Sequence, residues 1–353
     1  MTAAGRDIPE EYLTGYVHML AEVSATGRRP VREELDARRD LGERAAEAGY
    51  GLRVLVGAHL AATRAALGGR GAPDPLMAAA EQAVDAFAEG YERAQRLAVR
   101  QEEAARREFI DDLLLGRGDP EGLGERACRF GLRPAGSHAV AVARTASPHT
   151  DGGPQVRRLE RALTGRFGDG AVLLATKEGR LVCVATGDGD EVLAHFAQLA
   201  RTGVGGLTAL GRPHPGVGGV ASSYEEALHA LDLADRLGFE GPLLRAADLL
   251  VFPVLTRDRS AMADLVLSAL GPLRAGRGGA VPLLDTLTAY FDSGCVAAEA
   301  ARRLGLSVRA LTYRLERIHS LTGHDPGDPA HRYTLQTAAL GARLLNWPAE
   351  PLG

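Results

Sequence analysis

Lysine is almost missing from this chain: it occurs once, at Lys177, in 353 residues, so nearly all basic side chains are arginine. Alanine and glycine are abundant too, the bias of a GC-rich coding sequence, so arginine count alone says little about nucleic acid. Cysteine is scarce. Cys128, Cys183 and Cys295 stand far apart and no C-x-x-C pair occurs, which excludes a zinc ribbon or thioredoxin-like motif and fits a reducing cytosol. No apolar run approaches the ~20 residues that cross a bilayer. The first 22 residues carry acids and lack an apolar h-region, so no signal peptide is expected. These absences predict a cytoplasmic chain with no membrane partner. Net charge is −4, which argues against coating nucleic acid along the whole length and leaves that task to a local patch.

What is present divides into domains. Length predicts two or three of them. Residues 8–115 read as helix, punctuated by Pro30, Gly49 and the run Gly68–Gly69–Arg70–Gly71, with Pro73 and Pro75 opening the next helix. That helix, residues 76–115, has apolar Ala83, Phe87, Tyr91, Ala94, Leu97, Ala105 and Phe109 mostly three and four apart, a seam for a helical bundle or a coiled coil. From Gly116 strands and helices mix. Ala139 to Ala143 reads as a buried strand, and Ala171–Ala175 and Leu181–Ala185 as a hairpin around Lys177–Glu178–Gly179. Ser222 with Glu225 reads as a capping box opening a helix to Leu237. The order β-α-β-β-α-β-α predicts a ferredoxin-like sandwich. Residues 247–270 are apolar and helical. Gly271 to Ala280, with four glycines, reads as a flexible linker, and 281–347 as helix.

The informative stretch runs from Cys295 to Ser320. A short helix, 296–304, is followed by Gly305 at a turn, by Ser307 at an N-cap position, and by a second helix from Val308. Val308, Leu311, Leu315 and Ile318 form one apolar stripe, and Ala301 lets the helices cross closely. The stretch holds five arginines and two glutamates in a chain of net negative charge. Helix, glycine turn and amphipathic helix make a helix-turn-helix, with the basic excess where phosphate contacts need it. Any helical hairpin shares the bare pattern.

Ala300 to Leu306, then Leu311–Thr312–Tyr313–Arg314–Leu315–Glu316–Arg317–Ile318 and Leu321–Thr322–Gly323, resemble the C-terminal helix-turn-helix of PucR/CdaR-type regulators. The approach Leu283 to Phe291 and the closing helix capped by Asp328 and Pro329 look like that family too. Residues 216–237 resemble the end of its GGDEF-like domain, residues 27–64 its RsbRD-like helical N-terminal domain, and Glu108 to Gly116 the junction. Where the family opens its second helix with His, any residue, Asn and Thr, this chain has Ser307, Val308, Arg309 and Ala310. Arg309 there favours guanine through N7 and O6.

Other constellations carry less. The hairpin reads Thr176–Lys177–Glu178–Gly179–Arg180, without the paired acids that hold two magnesium ions for cyclisation. The glycine runs 203–206 and 216–219 match neither dinucleotide nor P-loop patterns. Gly187–Asp188–Gly189–Asp190 reads as turn plus cap. His214 has no evident second ligand, and His319, His324 and His331 read as solvated rather than as a metal site.

The expectation is an α+β multidomain chain. Residues 1–115 form a helical bundle that senses or dimerises. Residues 116–250 form a ferredoxin-like, degenerate GGDEF-like sandwich. Residues 251–280 are helix and linker, and residues 281–353 an all-α helix-turn-helix domain. The expected function is that of a non-enzymatic, sequence-specific transcriptional regulator. It would bind double-stranded operator DNA as a homodimer or higher homo-oligomer, under a small-molecule effector of unknown kind. Ser307, Arg309, Ala310, Thr312, Tyr313, Arg314 and Arg317 are the expected DNA-binding residues, with no metal or cofactor. The alternative is a sensor or scaffold whose C-terminal helices bind another protein.

Overall fold

The computed structural model describes residues 8–67, 74–144, 153–168, 170–204, 206–239 and 241–352. The glycine run at 68–71, Pro73 and Gly205 of the run at 203–206 lie outside them. The chain forms two compact units, Met1–Glu108 and Phe109–Gly353.

The first unit packs helices α1 (Glu11–Thr26), α2 (Arg32–Glu47) and α3 (Leu52–Leu67) with α4 (Asp74–Leu115), whose residues up to Glu108 fall in this unit. Tyr16, Met19, Leu20 and Val23 bury against Leu76, Ala79 and Ala83, and Tyr12, Leu41, Ala45 and Leu55 against Phe87. Helices α2 and α4 touch backbone to backbone: a Cβ on Gly90 would lie 2.0 Å from the Arg39 carbonyl oxygen. Beyond that crossing the seam changes character. Ala83 and Phe87 are buried, but Leu97 is 55% exposed, and no residue from 92 to 108 is buried.

A histidine lies inside this bundle. The His59 ring sits 4.8 Å from the rings of both Tyr16 and Phe87. Its Nδ1 donates to the Leu55 carbonyl at 2.8 Å, while Nε2 is buried without a partner among the described residues. Burial lowers its pKa, the bond to Leu55 opposes this, and the buried Arg38 guanidinium adds to the lowering. Tyr16 and Thr63, hydrogen-bonded to each other at 2.6 Å, are its polar neighbours. Because the folded pKa lies below the free value of about 6.5, the unfolded chain takes the proton first. Stability from the neutral ring is complete above that pH and is lost as pH falls through the folded pKa. The bundle should therefore melt at lower temperature as pH drops from 7.5 to 5, and His59→Phe should flatten that dependence in thermal unfolding. An unchanged slope in the mutant would assign the effect elsewhere.

The second unit begins with the last turns of α4. Phe109, Ile110, Leu113 and Leu114 are buried against the central sheet. There follow α5 (Pro120–Arg129), β1 (Ser137–Arg144), α6 (Pro154–Phe167), β2 (Val172–Lys177), β3 (Arg180–Thr186) and α7 (Asp190–Val204). Then come β4 (Leu207–Leu210), β5 (His214–Pro215), α8 (Gly219–Leu237) and β6 (Leu243–Arg245). The sheet order is β2-β3-β1-β4-β6, with β5 paired to β1. β1 is antiparallel to β3 and β4, and β6 runs parallel to β4. The β-α-β-β-α-β core is thus the expected ferredoxin-like arrangement. Both faces of β1 are covered, which is why it reads as an unbroken apolar run. Val140 and Val142 face α4, α5 and α8, while Ala139, Ala141 and Ala143 face α6 and α7.

Two local expectations are corrected here. Helix α8 starts at Gly219, not Ser222, after a backbone turn in which the Gly219 amide donates to the Gly216 carbonyl at 3.1 Å; no side chain caps it. Ser222 lies inside the helix, and the buried Ser223 instead accepts from the Val140 amide at 2.9 Å, fixing helix to strand. His214 does have a neighbour, Glu226 Oε1 at 3.0 Å, and Glu226 also accepts from the Arg212 amide at 2.8 Å.

A 3-10 turn at Ala246–Leu249 leads to α9 (Val251–Thr256), α10 (Arg259–Leu270), a second 3-10 turn (Gly271–Ala275), α11 (Val281–Asp292), α12 (Ala297–Arg303), α13 (Val308–Thr322) and α14 (Pro329–Leu344). Residues 271–280 are not the loose tether their glycines predict. Leu273 and Ala280 are buried in one core with Met262, Val266 and Leu270 of α10, Leu284 and Leu287 of α11, and Leu335 and Ala338 of α14. The glycines allow turns, and Leu273 anchors them. This helical domain docks on the central one: Leu340 and Leu344 pack with Leu233, Leu237, Phe239 and Phe252. Arg236 donates to the Leu344 carbonyl at 2.7 Å, and Arg343 to the Leu237 carbonyl. Among the described residues no helix is long and apolar enough to cross a membrane.

A fragment beginning at Val281 would lose Met262, Val266, Leu270 and Leu273, each worth about 1.5–3 kcal/mol of burial. It should be largely unfolded by circular dichroism, whereas one beginning at Asp258 should melt cooperatively. Equal stability of the two would show that α10 adds nothing to this core.

Candidate nucleic-acid interface

The paired helices are built by local chemistry. Ala300 and Ala301 of α12 are buried against Leu311 of α13, so the two helices approach as closely as alanine allows. Gly305 takes φ 64° in the turn, a left-handed conformation that would strain most side chains. Ser307 caps α13, its Oγ accepting from the Ala310 amide at 3.2 Å. Asp328 caps α14 by accepting from the Ala330 and His331 amides at 2.9 and 3.1 Å, which holds its carboxyl below the usual range.

The stripe of α13 is narrower than expected. Leu311 and Ile318 are buried and Leu315 is half-buried, but Val308, at the start of α13, is 49% exposed. On the other side of α13 the expected residues do not all converge. Ser307, Arg309, Ala310, Tyr313, Arg314 and Arg317 line one concavity of about 570 Å³. Thr312 is exposed outside it, with its hydroxyl turned back to the Val308 carbonyl at 3.1 Å. Tyr313 is 69% exposed. Arg314 is half-buried and donates to Thr286 Oγ1 on α11 at 3.4 Å, which aims its guanidinium along the cleft wall.

The cleft has a wall that the sequence did not disclose. Arg277, Pro282 and Leu283, from the turn before α11 and its first residues, close it opposite α13. Four arginines therefore share one concavity whose lining contains no acid. Arg277, Arg309 and Arg317 make no ion pair among the described residues. Arg302, by contrast, is spent locally on Glu299, with Nε to Oε2 at 2.9 Å, and that pairing lowers the Glu299 pKa. Unpaired guanidiniums with no counter-charge favour an anion, and their planar forks suit phosphate oxygens. Arg277 escaped notice because it lies among glycines that read as linker; only burial of Leu273 fixes its place. His324, in the turn after α13, and His331, in the first turn of α14, expected to be solvated, are half-buried and pack edge to face at 5.3 Å.

The central hairpin is also settled locally. Lys177 Nζ lies 2.7 Å from Asp111 on α4, and Arg180 lies 3.5 Å from Glu178 at the tip. Among the described residues no three His, Cys, Asp or Glu side chains gather as a metal-binding group.

Two stretches of the chain match known domain families. Residues 115–233 match the GGDEF-like domain, and residues 283–340 match the PucR C-terminal helix-turn-helix domain. The chain thus carries a GGDEF-like sandwich followed by a helix-turn-helix. That pairing is the domain composition of a PucR/CdaR-type regulator. Uncharacterized proteins from Mycobacterium bovis and from two strains of Mycobacterium tuberculosis are 36% identical over 127 residues, which is 36% of this chain. The chain spans 30% of the length of these curated relatives. Among solved structures, a regulator of polyketide synthase expression from Bifidobacterium adolescentis is similar at 21% identity with a TM-score of 0.38. The match covers 69% of this chain and 94% of that one.

If Arg277 contacts a backbone phosphate, Arg277→Ala should weaken binding to all DNA sequences alike. It should also lower the slope of log affinity against log salt by about one. Filter binding across a salt series measures both, and an unchanged slope would remove Arg277 from the interface.

Proposed function

We propose that this chain is a sequence-specific transcriptional regulator that binds double-stranded operator DNA as a homodimer through α13. The observation that carries this reading is the acid-free cleft in which Arg277, Arg309, Arg314 and Arg317 converge beside the exposed Tyr313. One helix-turn-helix reads only a few base pairs, so two copies would engage half-sites about 34 Å apart. Arg309, in the first turn of α13, is the base-reading residue, and Arg277, Arg314 and Arg317 are phosphate contacts. Ser307 and Ala310 set the start of the helix against the duplex, and Thr312 lies at its edge.

In this reading the GGDEF-like domain is not a cyclase. Its hairpin is occupied by the Lys177–Asp111 and Arg180–Glu178 pairs where a nucleotide enzyme needs paired acids for magnesium. The helical domain at 1–115, taken as RsbRD-like, is the site of an unidentified effector, and the whole acts in the cytoplasm. An effector shifts binding only by its differential affinity for two arrangements of the chain.

Mobility shift with genomic fragments, followed by footprinting, tests the reading. Arg309→Ala should cost about 1–3 kcal/mol and relax the preference at one operator position. Unchanged affinity and preference would remove Arg309 from base reading. Failure of the wild-type chain to bind any fragment, with capture of a protein by α11 to α14 instead, would favour a sensor or scaffold.

A further inference from the structure

The middle of α4 is a long helical stretch that no other described residue buries. Residues 92–108 run for more than four turns without a buried residue, while Phe87 and Phe109 on either side are fully buried. In proteins most helical stability comes from packing of an amphipathic face, and this stretch has none within the chain's described residues. Apart from the exposed Val99, its apolar members gather on one side. Ala94, Ala98 and Ala105, with Gln101 among them, fall at spacings four, three and four, and Leu97, 55% exposed, flanks that line. This is the spacing of a coiled-coil seam.

We propose that residues 92–108 pack against the same residues of a second copy of this chain, running antiparallel. This names the surface that joins the dimer invoked in the preceding reading. Charge selects the occupant and the direction. Residues 92–100 hold Arg93, Arg96 and Arg100 against one acid, Glu92; residues 101–108 hold Glu102, Glu103 and Glu108 against Arg106 and Arg107. Antiparallel pairing sets each positive half beside a negative one, whereas parallel pairing sets like beside like.

Seam geometry agrees with the charge. With the two-fold axis between residues 99 and 100, Ala94 meets Ala105 of the second copy and Ala98 meets Gln101. On one flank Leu97 meets Ala104, and Arg93 lies beside Glu108. In the parallel register Leu97 would instead face Glu102, an apolar side chain against an acid. Small seam residues let the two axes approach closely, so Leu97 covers the partner's backbone as well as its side chains. Arg93 is already 3.1 Å from Glu43 but is still 59% exposed, so its fork has a free side for Glu108.

Sedimentation of the full chain without DNA, with disulfide trapping, tests this. Wild type should sediment as a dimer at micromolar concentration. Leu97→Glu should weaken the dimer at least tenfold with unchanged thermal unfolding of the single chain, since Leu97 is mostly exposed there. In a background with Cys128→Ser and Cys295→Ser, Ala94→Cys with Ala105→Cys together should give a covalent dimer on oxidation. Ala94→Cys alone should give none, because the two sites would be about 16 Å apart along the helices. A monomeric wild type, a dimer insensitive to Leu97→Glu, or trapping through Ala94→Cys alone would overturn the proposal. A wild-type dimer that responds to Leu97→Glu yet binds no DNA would leave this interface standing and remove the regulator reading.

Discussion

Two helix ends answer each other at the joint between the sheet domain and the helix-turn-helix domain. Every α-helix leaves its last carbonyls without intrahelical partners, and those carbonyls carry the negative end of the helix dipole. In α8 the terminal Leu237 carbonyl receives Arg343 from α14; in α14 the terminal Leu344 carbonyl receives Arg236 from α8. Each helix thus supplies the cation that the other's end needs. Leu233, Leu237, Leu340 and Leu344 exclude water around the exchange. Charge-assisted bonds in a partly dry setting are stronger than their surface equivalents. The helix-turn-helix domain is therefore held by a specific joint on α8.

That joint changes how a signal could travel within this unit. The glycines after α10 do not release the four C-terminal helices, because Leu273 is sealed into their core. On the other side of α8, Ser223 bonds to the Val140 amide of β1, and Val140 and Val142 press on the end of α4. A continuous packed route runs from Phe109 and Leu113 through β1 and α8 to α14. Such a route has few soft torsions, and it joins the end of α4 to the core that holds α13. Interiors of native density respond by switching between arrangements more readily than by stretching.

Legibility in the sequence followed the range of the forces involved. The turn at Gly305, the cap at Ser307, the cap at Asp328 and the strand at Ala139 to Ala143 were readable, because each depends on residues a few positions apart. The α8 capping box failed because the turn at Gly216 captured the helix start before Ser222 could, and the serine next to it was drawn to a strand 83 residues away. The linker failed because glycine content is a local signal, whereas burial of Leu273 is set by α11 and α14. Arg277 failed for the same reason: a lone arginine among glycines acquires a role only when α13 is folded opposite it. Of the candidate interface, α13 could be read in advance and the facing wall could not.

The solitary lysine gives the molecule a chemical singularity. Lys177, at the hairpin, is paired with Asp111 on the part of α4 that enters the sheet domain, and its side chain is 20% exposed. Apart from a chain terminus, it is the one primary amine in this sequence. Amine-directed reagents therefore sample a single internal position, the contact between hairpin and α4. Their rate there depends on how often that ion pair opens, so nature has left a built-in gauge of that contact, legible without altering a residue.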